Sequence, residues 1–106
     1  MDDSRQIENL IYRYAELIDD GDLEGVAGLF RNAEIVSTAH GVRRHGFDEV
    51  LQMYRSSCRI YEPTGTPLTK HLTSNVIVEL DEDGKTANAR SYYTVMQATD
   101  SLPLQV

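Results

Sequence analysis

Thr-Lys-His-Leu-Thr-Ser-Asn-Val-Ile-Val-Glu-Leu occupies residues 69–80. Asp-Glu-Asp-Gly follows at 81–84, and Lys-Thr-Ala-Asn-Ala-Arg-Ser-Tyr-Tyr-Thr-Val-Met-Gln-Ala at 85–98. Both arms are rich in β-branched and aromatic residues, and an acidic, glycine-ended segment separates them. This predicts two long antiparallel strands over 69–80 and 85–98, joined as a hairpin. In the first arm Leu72, Ser74, Val76, Val78 and Leu80 alternate with His71, Thr73, Asn75, Ile77 and Glu79. In the second, Ala87, Ala89, Ser91, Tyr93 and Val95 alternate with Thr86, Asn88, Arg90, Tyr92 and Thr94. A bulge is the device that would exchange the two sides partway along strands this long.

Upstream of this hairpin the periodicity becomes helical. Residues 62–67, Glu-Pro-Thr-Gly-Thr-Pro, are a loop by composition. From Gly46 to about Tyr61 a helix is expected, with Phe47, Val50, Leu51, Tyr54 and Cys58 on one side. Before it, residues 33–39 and 42–45 read as short strands about a His40-Gly41 turn. Asp22 caps a short helix in which Leu23, Val26, Ala27 and Phe30 share a face, although Gly25 and Gly28 weaken it. Residues 4–20 carry Ile7, Leu10, Ile11, Tyr14, Leu17 and Ile18 at helical spacing, with Ser4 as N-cap and Gly21 as the stop. Downstream, Leu104-Gln105-Val106 reads as the opening of another strand.

Helices early and antiparallel strands late give an α+β class. Residues 1–106 are expected to form one domain: a cone-like curved antiparallel sheet covered by three N-terminal helices around a pocket. The net charge of −7 and the scattered Lys and Arg exclude a nucleic-acid surface, which needs a clustered basic stripe. Apolar runs are only a few residues long, so no membrane span is expected. The single cysteine, Cys58, forms no internal disulfide; on a helix's apolar face it reads as an inert core thiol. With a polar, acidic N-terminus this points to a reducing, cytoplasmic setting.

Asp19 falls in the last turn of the first helix, where the macrodipole disfavours a carboxylate by roughly 0.3–1 kcal/mol. Asp20 beside it is satisfied by solvent. For Asp19 the same solvated reading competes with a pocket role, because its position borders the apolar stripe. His71, near the start of a long strand, points either into a concavity or out to water. Facing inward beside a carboxylate, it would be a competent general base. Tyr14 is either a core tyrosine with a satisfied hydroxyl or a donor to a developing oxyanion. Tyr54 and Tyr93 fall on presumed inner faces and would line or fill a pocket. His40 and His45 flank a turn and a helix start and read as structural or exposed. No phosphate-cradling glycine loop, nucleophile elbow or metal-spaced histidine pair is present, so neither cofactor nor metal is expected.

Residues 11–24 (Ile-Tyr-Arg-Tyr-Ala-Glu-Leu-Ile-Asp-Asp-Gly-Asp-Leu-Glu) resemble the first helix and turn of SnoaL-like proteins, a family of the nuclear transport factor 2-like superfamily. Residues 70–78 resemble the family's histidine-bearing strand, and residues 83–92 its return strand. The resemblance implies a cone of helices on a curved sheet. Scytalone dehydratase- and bile acid dehydratase-like members use an Asp–His dyad, and the dyad positions match Asp19 and His71. Tyr14 matches an active-site tyrosine five residues before the aspartate. The resemblance further implies a cofactor-free lyase or isomerase acting by proton abstraction on a small hydrophobic, cyclic carbonyl or hydroxy compound. Two departures stand out. Where some members carry a second histidine, this chain reads Arg90-Ser91-Tyr92-Tyr93. The sequence also stops where family members add closing strands, so a fragment, an open cone or completion by a partner is expected. The competing expectation is a non-catalytic small-molecule-binding or dimerisation module; an accessory subunit is a third. A dimer or higher homo-oligomer is expected in each case, because an exposed sheet face on a small domain presents an apolar patch.

Overall fold

The structure is a computed structural model that describes residues 2–98. Its elements are α1 (Asp3–Asp19), α2 (Leu23–Gly28), β1 (Glu34–Ser37), β2 (Val42–His45), α3 (Gly46–Ser57), β3 (Thr69–Leu80) and β4 (Ala87–Gln97). They fall into two compact units, residues 2–16 with 69–98 and residues 17–68. The strand expected at Leu104-Gln105-Val106 lies outside the described residues.

In the first unit, α1 starts two residues earlier than Ser4 suggests. The Asp2 carboxylate accepts the Arg5 N–H at 2.8 Å, and the Asp2 carbonyl accepts that of Gln6. An anionic cap satisfies an orphan donor and also gains from the positive helix end, which a serine does not. β3 and β4 pair antiparallel, with His71 opposite Val95, Thr73 opposite Tyr93 and Ser74 opposite Tyr92. The register then shifts, so that Ile77 meets Arg90 and Leu80 meets Ala87. Asn75 and Val76 therefore share Ser91 as their counterpart. Asn75 takes the left-handed conformation, φ +56°, which a short amide side chain tolerates in a bulge.

This extra residue changes which side chains keep company. His71 and Thr73 share a face with Val76, Val78 and Leu80, not with Ile77 and Glu79. Burial follows the same switch: Thr69, His71, Thr73, Val76 and Val78 are half-buried and their neighbours exposed. Across the opposite face an Arg90–Glu79 ion pair spans 2.6 Å. β4 begins at Ala87 rather than 85 because the loop closes with Asp83, whose carboxylate accepts the Lys85 and Thr86 N–H groups. The Thr86 hydroxyl donates to Asp81 across the same loop. The first half of α1 runs along the His71 face. There Ile7 and Leu10 oppose Leu80 and Ala87 across a cleft of about 510 Å³.

In the second unit, α2 and α3 pack about Ala27, Val50 and Leu51, with Leu23, Phe30, Ile35, Phe47 and Tyr54 around them. The Asp22 carboxylate caps α2 by accepting the Gly25 N–H at 2.8 Å. α2 ends at Gly28, short of Phe30. Tighter bonds from Leu29 and Phe30 N–H to the Val26 and Ala27 carbonyls finish the turn and leave Phe30 on the predicted face. Gly21, at φ +79°, stops α1 as expected. It also lies so close to the Gly65 carbonyl that a Cβ there would overlap that oxygen. β1 and β2 form the short hairpin, and Arg43 bonds Glu34 across it at 2.6 Å. α3 stops at Ser57, four residues before the expected end at Tyr61. The Ser56 and Ser57 hydroxyls both donate to the Met53 carbonyl, and Pro63 disfavours helix in the residue before it. Cys58 is left as an extended C-cap, its N–H on the Tyr54 carbonyl.

Candidate functional site

His71 is built into the first unit by three independent features. The alternation of β3 turns it onto the half-buried face, and the ladder sets it opposite Val95. Aromatic rings approach it from two sides. The Tyr14 ring meets the imidazole edge-on, with centroids 6.2 Å apart and planes at 90°. The Tyr93 ring lies roughly parallel, at 6.2 Å and 28°. Both separations fall within the range over which aromatic rings interact favourably.

Tyr93 reaches His71 because of the register. Residues opposite on an antiparallel ladder share a face, and an aromatic side chain spans to the diagonal neighbour. Tyr93 opposes Thr73, two residues from His71, so its ring falls along the same row. It remains 70% exposed despite this contact. The sequence marked both residues, but not their partnership, since alternation gives a face and not a register.

The structure thus brings Tyr14, His71 and Tyr93 together. Asp19 and Tyr54 belong to the second unit. Asp19 is half-buried and is the last residue of α1, whose final turn holds no basic residue to offset the negative helix end. Tyr54 is half-buried and packs its ring against the Ala27, Val50 and Leu51 core. His40 and His45 are exposed at the short hairpin; His45 precedes α3, and its N–H is accepted by Glu49 at 2.8 Å. Burial holds the Cys58 thiol above its ordinary value of 9.0, so the neutral form prevails. The cleft beside Leu10 and Leu80, nine residues along β3 from His71, carried no signal in the sequence.

Among the described residues, no three His, Cys, Asp or Glu side chains cluster closely enough to hold a metal ion. No helix among them is long and apolar enough to cross a membrane.

The order of elements and the histidine-bearing long strand agree with what the family resemblance implies, and residues 1–103 match the SnoaL-like domain. The chain belongs to the SnoaL-like family. Two solved structures share the fold of this SnoaL-like domain. ActVI-ORFA from Streptomyces coelicolor superposes with a TM-score of 0.75 at 14% identity, over 95% of this chain and 74% of its own. A protein from Novosphingobium aromaticivorans DSM 12444, named as a scytalone dehydratase, gives 0.69 at 24% identity, over 94% of this chain and 64% of its own. No curated protein sequence matches. The expected α+β class with antiparallel strands therefore holds, on a nuclear transport factor 2-like fold. Among the described residues the sheet is not closed: β1–β2 and β3–β4 are separate two-stranded ladders.

Proposed function

We propose that this SnoaL-like domain is a cofactor-independent lyase or isomerase for a small hydrophobic, cyclic carbonyl or hydroxy compound. The single observation that carries the reading is the half-buried His71, flanked by two tyrosine rings on the sheet face that α1 covers. An imidazole is the side chain best matched to proton transfer near neutral pH. Here neutral His71 takes the proton from the carbon beside the carbonyl. The electron pair of that C–H bond moves toward the carbonyl oxygen, which becomes an enolate. The Tyr14 hydroxyl donates to that oxygen, and Asp19 orients His71 and stabilises its imidazolium. In elimination the enolate expels a β-hydroxyl, which leaves as water with the proton from His71. In isomerisation the same proton returns to a different carbon. Tyr93 borders the substrate's apolar body. The setting is a cytoplasmic one, in which a lone free thiol is stable.

The test is deuterium incorporation into 2-tetralone in D2O, followed by NMR. Wild-type protein accelerates exchange beside the carbonyl. His71→Ala and Asp19→Asn each lower that rate by roughly 10²-fold or more while the thermal midpoint stays close to wild type. Unchanged exchange in His71→Ala removes it as the base.

A second reading is a binding module without chemistry. The 510 Å³ cleft favours it, since it combines apolar Ile7, Leu10, Leu80 and Ala87 with polar Asp3, Gln6, Lys85 and Thr86 and contains no imidazole. Saturable binding of 2-tetralone with no exchange above buffer would establish that alternative. In either case a homodimer covers the apolar side chains Leu72, Ile77 and Tyr92, which are exposed together on the face opposite His71. Sedimentation at micromolar concentration that gives a monomer overturns the dimer.

A further inference from the structure

We propose that Tyr93 is a positioning residue for His71: its ring fixes the plane of the imidazole, and substrate contact is secondary. The inference rests on the reading of His71 as a base and adds the part that holds the base in place. A strand histidine has two free side-chain torsions. The ladder fixes where its Cβ points, but not the rotation of the ring about the Cβ–Cγ bond. A hydrogen bond to one ring nitrogen fixes a direction in the ring plane and leaves the ring free to swing about that direction. A second flat ring lying alongside removes the swing. Tyr93 supplies that surface, at 28° to the imidazole, while Tyr14 meets it at 90°. Two contacts at different angles define a plane; either alone leaves a hinge.

The placement of Tyr93 is also hard to assign to packing. Its ring is 70% exposed, so burial does not dictate where it lies. Its neighbour Tyr92, equally exposed, points to the face opposite His71, beside Arg90 and Ile77 at the bulge. The two adjacent tyrosines thus form an internal control: same residue type, same strand, similar exposure, one against the imidazole.

The experiment compares Tyr93→Ala, Tyr93→Phe and Tyr92→Ala by NMR of the His71 ring and by 2-tetralone exchange. In Tyr93→Ala the His71 ring signals leave the tyrosine ring current and show faster side-chain motion. Tyr93→Phe restores both, and Tyr92→Ala leaves both at wild-type values. With 2-tetralone, Tyr93→Ala lowers kcat by roughly ten- to a hundredfold with KM within about twofold, as expected for a misplaced catalytic group, and Tyr93→Phe recovers most of the rate. His71 signals in Tyr93→Ala that coincide with wild type overturn the proposal. So does a raised KM at unchanged kcat, which would leave Tyr93 a substrate contact and nothing more. The NMR arm needs no turnover, so it stands or falls separately from the role of His71 as base.

Discussion

The two units of this domain are stabilised differently. Every buried residue among the described ones, Ile18, Val26, Ala27, Val50, Leu51 and Pro67, lies in residues 17–68. In residues 2–16 and 69–98 no described side chain is fully buried. That unit is held by a long ladder and a helix along one face, and two tyrosine rings surround its histidine. One region therefore resembles a small dry core, and the other a partly wetted surface that holds an imidazole. The lesson is a division of labour: close packing leaves no room for a ligand, whereas a half-buried strand face can be ordered and still accessible.

Paired leucines give the widest expected gap. Leu51→Ala, at 8% exposure, should cost about 2–4 kcal/mol by chemical denaturation, because it opens a cavity in the core. Leu72→Ala, at 47% exposure on β3, should cost about 0.5 kcal/mol or less. A Leu72→Ala loss that matches Leu51→Ala and grows with protein concentration would show that a second copy covers the exposed face.

Two glycines sharpen the contrast. Gly21 and Gly84 both have positive φ, +79° and +69°, but only at Gly21 would an added Cβ overlap a backbone oxygen. Gly21→Ala should destabilise by about 2–3 kcal/mol, and Gly84→Ala in the open hairpin loop by about 1 kcal/mol. Equal losses in thermal melts would mean that the loop is as tightly enclosed as the helix junction.

Cys58 reports on dryness through pH. Its thiol is raised above the ordinary 9.0 by burial, so folding favours the protonated form. Its contribution to stability is complete below pH 9.0 and falls as pH rises through the higher folded value. Alkylation by iodoacetamide at about pH 8 should be slower in the folded protein than in guanidinium, and should accelerate as the pH is raised past that point. Equal rates in both states would contradict a shielded thiol.

The smallest effect belongs to the Arg90–Glu79 pair, with both partners exposed. Arg90→Ala should change stability by about 0.5 kcal/mol or less, and the difference should shrink in salt. A larger, salt-insensitive loss would indicate that this face is desolvated.

Much of the fold was legible because local chemistry and tertiary context agree. β3 at 69–80 and β2 at 42–45 match their expected spans, and Asp22 and Gly21 act as punctuation where predicted. Misreadings arose where a side chain competes with the backbone. Asp2 outbid Ser4 as cap, serine hydroxyls ended α3 early, and Asp83 claimed the first residues expected in β4. For the site, alternation left His71 facing either a concavity or water, and only the structure shows it half-buried. Alternation could not yield the Tyr93 stack, because strand register depends on pairing and on the bulge. A lone asparagine in the middle of a long strand was the available hint, since asparagine accepts positive φ.

Asn75 makes the two ends of β3 answer to each other. Counting along an unbroken pleat, His71 and Leu80 have opposite parity; the single inserted residue gives them the same one. Removing it would force a choice between keeping the imidazole under α1 and keeping Leu80 there, because a regular strand cannot do both.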